Sequence, residues 1–387
     1  MKFIILFIYF SFCISILQAQ DSISKNEFSP GVNLQIGYIP KTYPIAPKSP
    51  FAAISSIEFF WKFNGKDKWH QYYNYPRGGV ELVCGYLGNN NELGFATGLI
   101  PCLQINSKNE NKKWRFKIGF GIGYFNKPFD PVSNPNNYYI GSSFVNMTHF
   151  SFRREIKISD KTHFLFGLSM IHSSDGHTTL PNVGLNMFTV DAGLRFLKIE
   201  KKNIPTLMKN EHKLSYTLKF GVGLHEFGET EKAVGGPKYP SYHLSFWVNR
   251  SFKQIHQVQF GLIMAYYTSF YDYITNQEVY ASSQRLNSGT AIAFIGHEFI
   301  FGKFGLVTQG GIYLYNPFFV KLKKLEGEWS TSNKLESLFT NRLGINYYPF
   351  KKANTLNNIK NQFSMGVYIK TNLAQADLFE YSVSYTF

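Results

Sequence analysis

The sequence predicts an all-β chain, a transmembrane antiparallel up-and-down β-barrel of about 14–16 strands. Three observations carry that expectation. The first is the C-terminal segment, where Phe379, Tyr381, Val383, Tyr385 and Phe387 alternate with Glu380, Ser382, Ser384 and Thr386. A period of two puts apolar and polar side chains on opposite faces of one strand. An alternating end that closes on Phe has the form by which barrel-assembly machinery recognises outer-membrane proteins. The second is composition: 18% aromatic residues, with 38 Phe, 25 Tyr and 32 Gly in 387 residues. Aromatic girdles, apolar outward positions and a polar interior average to this profile. The third is that no run of 18 apolar residues follows the N-terminal segment, which excludes a helical membrane protein.

The alternation recurs along the chain. Trp114, Phe116, Ile118, Phe120, Ile122 and Tyr124 share one face, and Arg115, Lys117, Gly119, Gly121 and Gly123 the other. Tyr242, Leu244, Phe246 and Val248 alternate with His243, Ser245, Trp247 and Asn249. Similar strands can be drawn near 31–39, 52–62, 78–87, 93–104, 141–156, 163–174, 187–199, 213–226, 257–271, 288–301, 303–315, 335–349 and 362–371. The count is about sixteen, with fourteen equally defensible because boundaries shift and barrels prefer even numbers. No linker or composition shift divides the chain after the N-terminal segment. One barrel over residues 20–387 is therefore the expectation.

The N-terminal segment reads as a secretory signal over 1–19. Lys2 is followed by an apolar run from Phe3 to Leu17, and Ala19 precedes a polar stretch. That run is shorter than the ~20 residues a spanning helix needs. Phe12 stands before Cys13 where a lipoprotein signal would carry a small residue. Two cysteines then remain, Cys84 and Cys102, on neighbouring strands. An oxidising compartment would permit a disulfide, although a tight turn at 88–91 does not set them opposite each other.

The formal charge of +15 would suit nucleic acid, but export and the lack of a basic helix or finger motif argue against it. In an outer membrane the same charge would meet lipopolysaccharide phosphates. Short turns at 159–160, 253–254 and 302 alternate with long segments at 125–140, 227–238, 272–287 and 316–334. Barrels keep short turns in the periplasm and long loops outside. The connection between strands 163–174 and 187–199 therefore falls on the external rim.

That connection carries the candidate chemistry. Phe164, Phe166, Leu168 and Met170 form the apolar face of the incoming strand, and His172 and Ser174 continue it by twos. Asn186 shares the parity of Phe188, Val190, Ala192 and Leu194 on the outgoing strand, while Asp191 and Arg195 point to the lumen. An imidazole and a hydroxyl on one lipid-facing strand face can serve as base and nucleophile if they come within hydrogen-bond reach. Spacing alone favours the plainer reading, that both mark the headgroup interface.

At these residues the sequence resembles the lipid A 3-O-deacylase (PagL), or acyloxyacyl-hydrolase-like, family. The shared pattern is His172-Ser173-Ser174, then Asp175-Gly176, then Pro181-Asn182-Val183-Gly184. Gly119 to Tyr124, Phe129 to Asn136 and Ile140-Gly141-Ser142 are similar to longer variants from Bacteroidetes-type bacteria. The resemblance spans about residues 30–199. It implies an outer-membrane esterase that cleaves an ester-linked acyl chain of lipid A. Ser174 would be nucleophile, His172 general base, and Asn182 an oxyanion donor. Asn186 stands where the family has Glu as third triad member. An amide can orient the imidazole but supplies no charge to the imidazolium. Asp175 is a substitute by proximity, with the wrong parity. Chemistry of this type requires no metal or organic cofactor.

Other polar groups have plainer readings. His297-Glu298 reads as a lumen-facing pair, and His225, Glu226 and Glu229 as a solvated rim. Asp377 and Glu380 read as lumen-filling groups, and His177 lies within reach of Asp175 without a motif behind it. Residues 200–387 leave room for a competing reading, a non-catalytic barrel acting as channel, transporter or structural protein. A family member that binds lipopolysaccharide without cleaving it is a third.

Overall fold

The structure is a computed structural model that describes residues 27–65, 67–108, 113–197, 213–230, 232, 235–253, 255–280, 282–351, 361–373 and 375–387. The expected signal segment, 1–19, lies outside them. No helix among the described residues is long and apolar enough to cross a membrane.

Among the described residues sixteen antiparallel strands form, close to the expected positions, but they close into two barrels of eight. The first contains β1 (Glu27–Ile39), β2 (Ser49–Lys62), β3 (Arg77–Tyr86), β4 (Phe95–Asn106), β5 (Trp114–Phe125), β6 (Phe144–Lys157), β7 (Thr162–Ser174) and β8 (Leu185–Phe196). The second contains β9 (Lys213–Glu226), β10 (Lys238–Phe252), β11 (His256–Tyr267), β12 (Gly289–Phe301), β13 (Phe304–Tyr315), β14 (Phe339–Tyr347), β15 (Gln362–Asn372) and β16 (Gln375–Thr386).

The single barrel over 20–387 is thus corrected. β8 turns back to pair with β1, Gly31 facing Arg195 and Tyr38 facing Phe188. β16 closes on β9, Phe379 facing Leu224 and Thr386 facing Thr217. At the first closure a Cβ on Gly37 would fall 1.8 Å from the Phe188 carbonyl oxygen, so this strand contact admits only glycine. Alternation fixes which face a residue takes, not which strand is its neighbour. The same pattern therefore serves one ring or two.

Eight strands enclose a space that side chains fill, and each interior is filled by its own charge network. In the first barrel Glu58 accepts from Lys117 Nζ at 2.8 Å, Arg153 Nη2 at 2.6 Å and Arg195 Nη2 at 3.1 Å. Glu81 joins Lys117 and His149, each at 2.8 Å. Buried charges cost several kcal/mol apiece unless paired in this way. In the second barrel Glu380 takes Lys219 at 2.6 Å and Arg342 at 3.1 Å. Asp377 accepts from Tyr267 Oη at 2.8 Å. The lumen-filling role expected of Glu380 and Asp377 matches these bonds, and such packed cores argue against a wide channel.

The outward faces carry the apolar belt. Val32, Leu34, Ile36, Phe188, Val190 and Leu194 are exposed on the first barrel, and Leu218, Phe220, Leu244 and Phe246 on the second. Two strand boundaries are also corrected. β11 ends at Tyr267 because α2 (Thr268–Asn276) begins there, and β14 begins at Phe339 because α5 (Thr331–Leu338) precedes it. Ser330 caps α5 by accepting from the Asn333 N–H at 3.2 Å. With α3 (Gln284–Asn287) and α4 (Pro317–Leu325), these helices fold the two long connections of the second barrel. One further helix, α1 (Lys68–Tyr72), lies on the opposite, short-turn rim.

Three smaller expectations change. Cys84 and Cys102 are free thiols. They occupy opposite faces of the sheet, Cys84 outward and exposed and Cys102 inward and buried, so no disulfide joins them. Neighbours in a strand point to opposite faces, so only Glu298 of the His297-Glu298 pair enters the lumen. His297 instead stacks outside, its ring 4.2 Å from Phe299 and 5.1 Å from His256.

The two barrels meet at both rims. At the short-turn rim Trp69 and Tyr73 of the α1 region pack with Ile255 and Phe301. At the long-loop rim residues 176–182 lie against residues 226–230 and Phe379.

Candidate active site

The site grows from the upper end of β7. Strand parity holds to its last residue. Phe166 and Leu168 are exposed, whereas Ile171 and Ser173 are buried in the interior. His172 and Ser174 therefore leave the strand on its outward face, as expected. His172 pairs across the sheet with Asn186 on one side and Thr148 on the other, and Ser174 pairs with Asn146.

His172 Nδ1 and Asn186 Oδ1 lie 2.8 Å apart. An amide oxygen only accepts, so Nδ1 carries the proton and the Nε2 lone pair is left for another partner. Ser174 is 3% exposed. Its Oγ accepts from Asn182 Nδ2 at 2.8 Å and from the Gly176 N–H at 3.1 Å. Both lone pairs of the hydroxyl are engaged, which leaves its own proton to donate. No hydrogen bond joins His172 to Ser174 among the described residues. Same-face neighbours on a strand stand about 6.7 Å apart along its axis, so the two must lean together to bond.

The loop after β7 is fixed by the sequence that singled it out. Asn182 Oδ1 accepts from the Asp175 N–H at 3.3 Å, which turns its Nδ2 toward Ser174. Val183 and Gly184 donate their N–H groups to Tyr138 and Tyr139 carbonyls at 2.8 and 3.1 Å. This explains why the neighbouring Ile140-Gly141-Ser142 matters. A Cβ on Gly141 would approach the Thr179 and Pro181 carbonyl oxygens to 2.5 and 2.6 Å. Gly184 has φ +84, and a Cβ there would stand 3.1 Å from His172 Cε1 and 3.8 Å from Ser174 Cβ. The glycine keeps open the space beside both groups.

Asp175 does not replace the third triad member. Its side chain is buried with the opposite parity, and Ser142 Oγ donates to Oδ2 at 3.4 Å. Burial pushes this carboxyl up to about 7. His177 does not bond Asp175 either; its Nε2 lies 3.1 Å from the Gly228 carbonyl oxygen. The expected solvated rim is also revised. His225 and Glu226 are buried, because the first barrel's loop covers them. Glu229 stays half-buried between Lys323 at 2.6 Å and Lys232 at 2.7 Å.

Two polar residues beside the pair escaped sequence reasoning. Asn146 and Thr148 take the outward positions of β6 between Phe144 and Phe152, and Thr148 Oγ1 donates to Asn146 Oδ1 at 2.8 Å. Their break in an otherwise aromatic row was the available signal. With His172, Ser174 and Asn186 they form one polar shelf on an apolar wall.

Closed antiparallel strands with an apolar outward belt and a charged, filled interior define a class, the outer-membrane β-barrel proteins, and here one rim carries a hydroxyl and an imidazole. Residues 55–195 match the family model of lipid A 3-O-deacylase (PagL), and residues 214–358 match that of the acyloxyacyl hydrolase C-terminal domain. One match falls on each barrel, and the chain belongs to this lipid A deacylase and acyloxyacyl hydrolase family in a long, two-barrel form. It is an outer-membrane hydrolase with deacylase-like function toward lipid A.

No curated protein matches the chain. Among solved structures, the outer membrane enzyme PagL is 14% identical, covers 42% of this chain and 97% of its own, and overlaps with a TM-score of 0.32. A triple mutant of Rhodopseudomonas blastica porin is 9% identical, with coverage of 93% and 99% and a TM-score of 0.18. The opdK protein of Pseudomonas aeruginosa is 9% identical, with coverage of 94% and 100% and a TM-score of 0.22. At these scores none of the three bears on mechanism.

Proposed function

We propose that the first barrel hydrolyses an acyl ester of lipid A in the outer leaflet, with Ser174 as nucleophile and His172 as general base. His172 Nε2 takes the hydroxyl proton as Ser174 Oγ attacks the ester carbonyl carbon. The carbonyl oxygen becomes an oxyanion beside Asn182 Nδ2 and the Gly176 N–H, the donors that now rest on Oγ. Collapse expels the sugar hydroxyl, which leaves with the proton from His172. Water, activated by the same imidazole, then splits the acyl-enzyme. The products are a free fatty acid and an under-acylated lipopolysaccharide.

The observation that carries this reading is the Asn182–Ser174 bond on the outward side of β7. A soluble substrate would have no reason to be met there. An acyl chain already lying against the belt of Phe166, Leu168, Phe188 and Val190 would have its ester near the polar shelf. The reading also includes removal of residues 1–19 on export and recognition of the β16 end by the barrel-assembly machinery.

Mass spectra of lipid A from cells expressing the native chain, Ser174→Ala or His172→Ala test it. Loss of one acyl chain is expected with the native chain alone. The same acylation in all three would end the proposal.

A further inference from the structure

We propose that the second barrel is a working part of this active site, and that Glu226 is a positioning residue which sets Asn182 against Ser174. The inference rests on the catalytic reading above.

The loop of residues 175–184 is held from two sides. Its last residues, Val183 and Gly184, are tied to the first barrel through Tyr138 and Tyr139. Its middle is tied to the second barrel by four bonds. The Leu180 N–H donates to Glu226 Oε2 at 2.9 Å, and the Asn182 N–H to the Thr230 carbonyl at 2.8 Å. The Glu226 N–H donates to the His177 carbonyl at 3.0 Å, and His177 Nε2 lies 3.1 Å from the Gly228 carbonyl oxygen. Gly176 completes the contact, since a Cβ there would stand 2.3 Å from the Phe379 ring.

Glu226 is the side chain at the centre of this clamp. It is fully buried, and its carboxylate also takes Lys238 Nζ at 2.8 Å and the Gly236 N–H at 2.5 Å. Charge-assisted bonds of this kind are stronger and shorter than neutral ones. Asn182 therefore has its backbone on the second barrel and its side chain on the nucleophile of the first. A donor on a loop tied only at Val183 and Gly184 would be free to drift, and a misplacement of about 1 Å can cost ~100-fold in rate. The acyloxyacyl hydrolase-type second barrel thus supplies rigidity to a site whose reacting groups all lie on the first.

The test measures fatty-acid release from lipopolysaccharide by the full chain in detergent, for Glu226→Ala, Glu226→Gln and Lys238→Ala, each with and without Asn182→Ala. Glu226→Ala should lower kcat about tenfold with KM unchanged. Glu226→Gln keeps an oxygen for Leu180 and should recover most of that loss. Lys238→Ala, which frees the carboxylate, should cost about threefold. In the Asn182→Ala background all three should have little further effect, because Glu226 acts through Asn182.

Wild-type kcat in Glu226→Ala, or an equal loss with and without Asn182, overturns the proposal. If Glu226→Ala fails to fold, Lys238→Ala decides by the same criterion. Ser174→Ala separates the two levels. Activity in that variant sinks the catalytic reading itself, whereas an inactive Ser174→Ala beside a fully active Glu226→Ala sinks the clamp alone.

Discussion

Asn182 donates its side-chain amide to the Ser174 hydroxyl over 2.8 Å, and the same amide's oxygen is held by the Asp175 N–H. On the proposed mechanism this donor is aimed before any substrate arrives, which is the condition under which an oxyanion donor is worth most. Asn182→Ala should lower kcat by about 10²- to 10³-fold, on the order of 3 kcal/mol, with a small change in KM. Steady-state fatty-acid release checks this; a loss confined to KM would assign Asn182 to ground-state binding.

Asn186 orients His172 through Oδ1 but brings no charge to the imidazolium. Asn186→Glu should raise kcat and move the acidic limb of the rate profile to higher pH, because a carboxylate favours the protonated ring. Asn186→Leu should lower kcat by at least tenfold, by freeing the wrong tautomer. Rate–pH profiles of the three proteins decide. An unshifted limb in Asn186→Glu would separate His172 from the titration.

Gly184 combines a φ of +84 with a 3.1 Å approach to His172 Cε1. Gly184→Ala should cost about 1–2 kcal/mol in loop strain and push the imidazole aside. A fall in kcat with the folded barrel retained is expected. Full activity would show that the space beside the ring is not used.

Asp175 gives a pH dependence whose sign follows from burial. Its folded pKa, about 7, lies above the ordinary carboxylate value, so the folded loop keeps a proton that the unfolded chain releases. That stabilisation is complete below the ordinary carboxylate range and is lost as pH rises through about 7. Protease cleavage in the loop should quicken from pH 5.5 to 8.5 in the native chain and much less in Asp175→Asn. Parallel pH profiles would contradict this.

Much of this architecture was legible in the sequence because it depends on local periodicity. Strand positions and the faces of Phe166, Leu168 and His172 follow from counting by twos, and the rim position of the loop from the alternation of short turns with long segments. Closure was not legible, since β8 pairs with β1, Gly31 facing Arg195, and alternation is blind to the choice of neighbouring strand. The helices after β11 and before β14 were hidden by apolar residues that read equally well as strand. At the site, the His172–Asn186 pair needed only parity and register. Glu226 and Thr230 needed knowledge of which surfaces dock, and no spacing encodes it. Asn146 and Thr148 were visible as polar breaks, but their pairing with Ser174 and His172 became apparent only in the folded sheet.

Covalent labelling tests the identity of the nucleophile most directly. The full chain in detergent would be treated with a long-chain alkyl fluorophosphonate, digested, and mapped by mass spectrometry. One adduct per chain on Ser174 is predicted, absent in Ser174→Ala and formed much more slowly in His172→Ala. A label on another serine, or undiminished labelling of Ser174→Ala, would contradict the account.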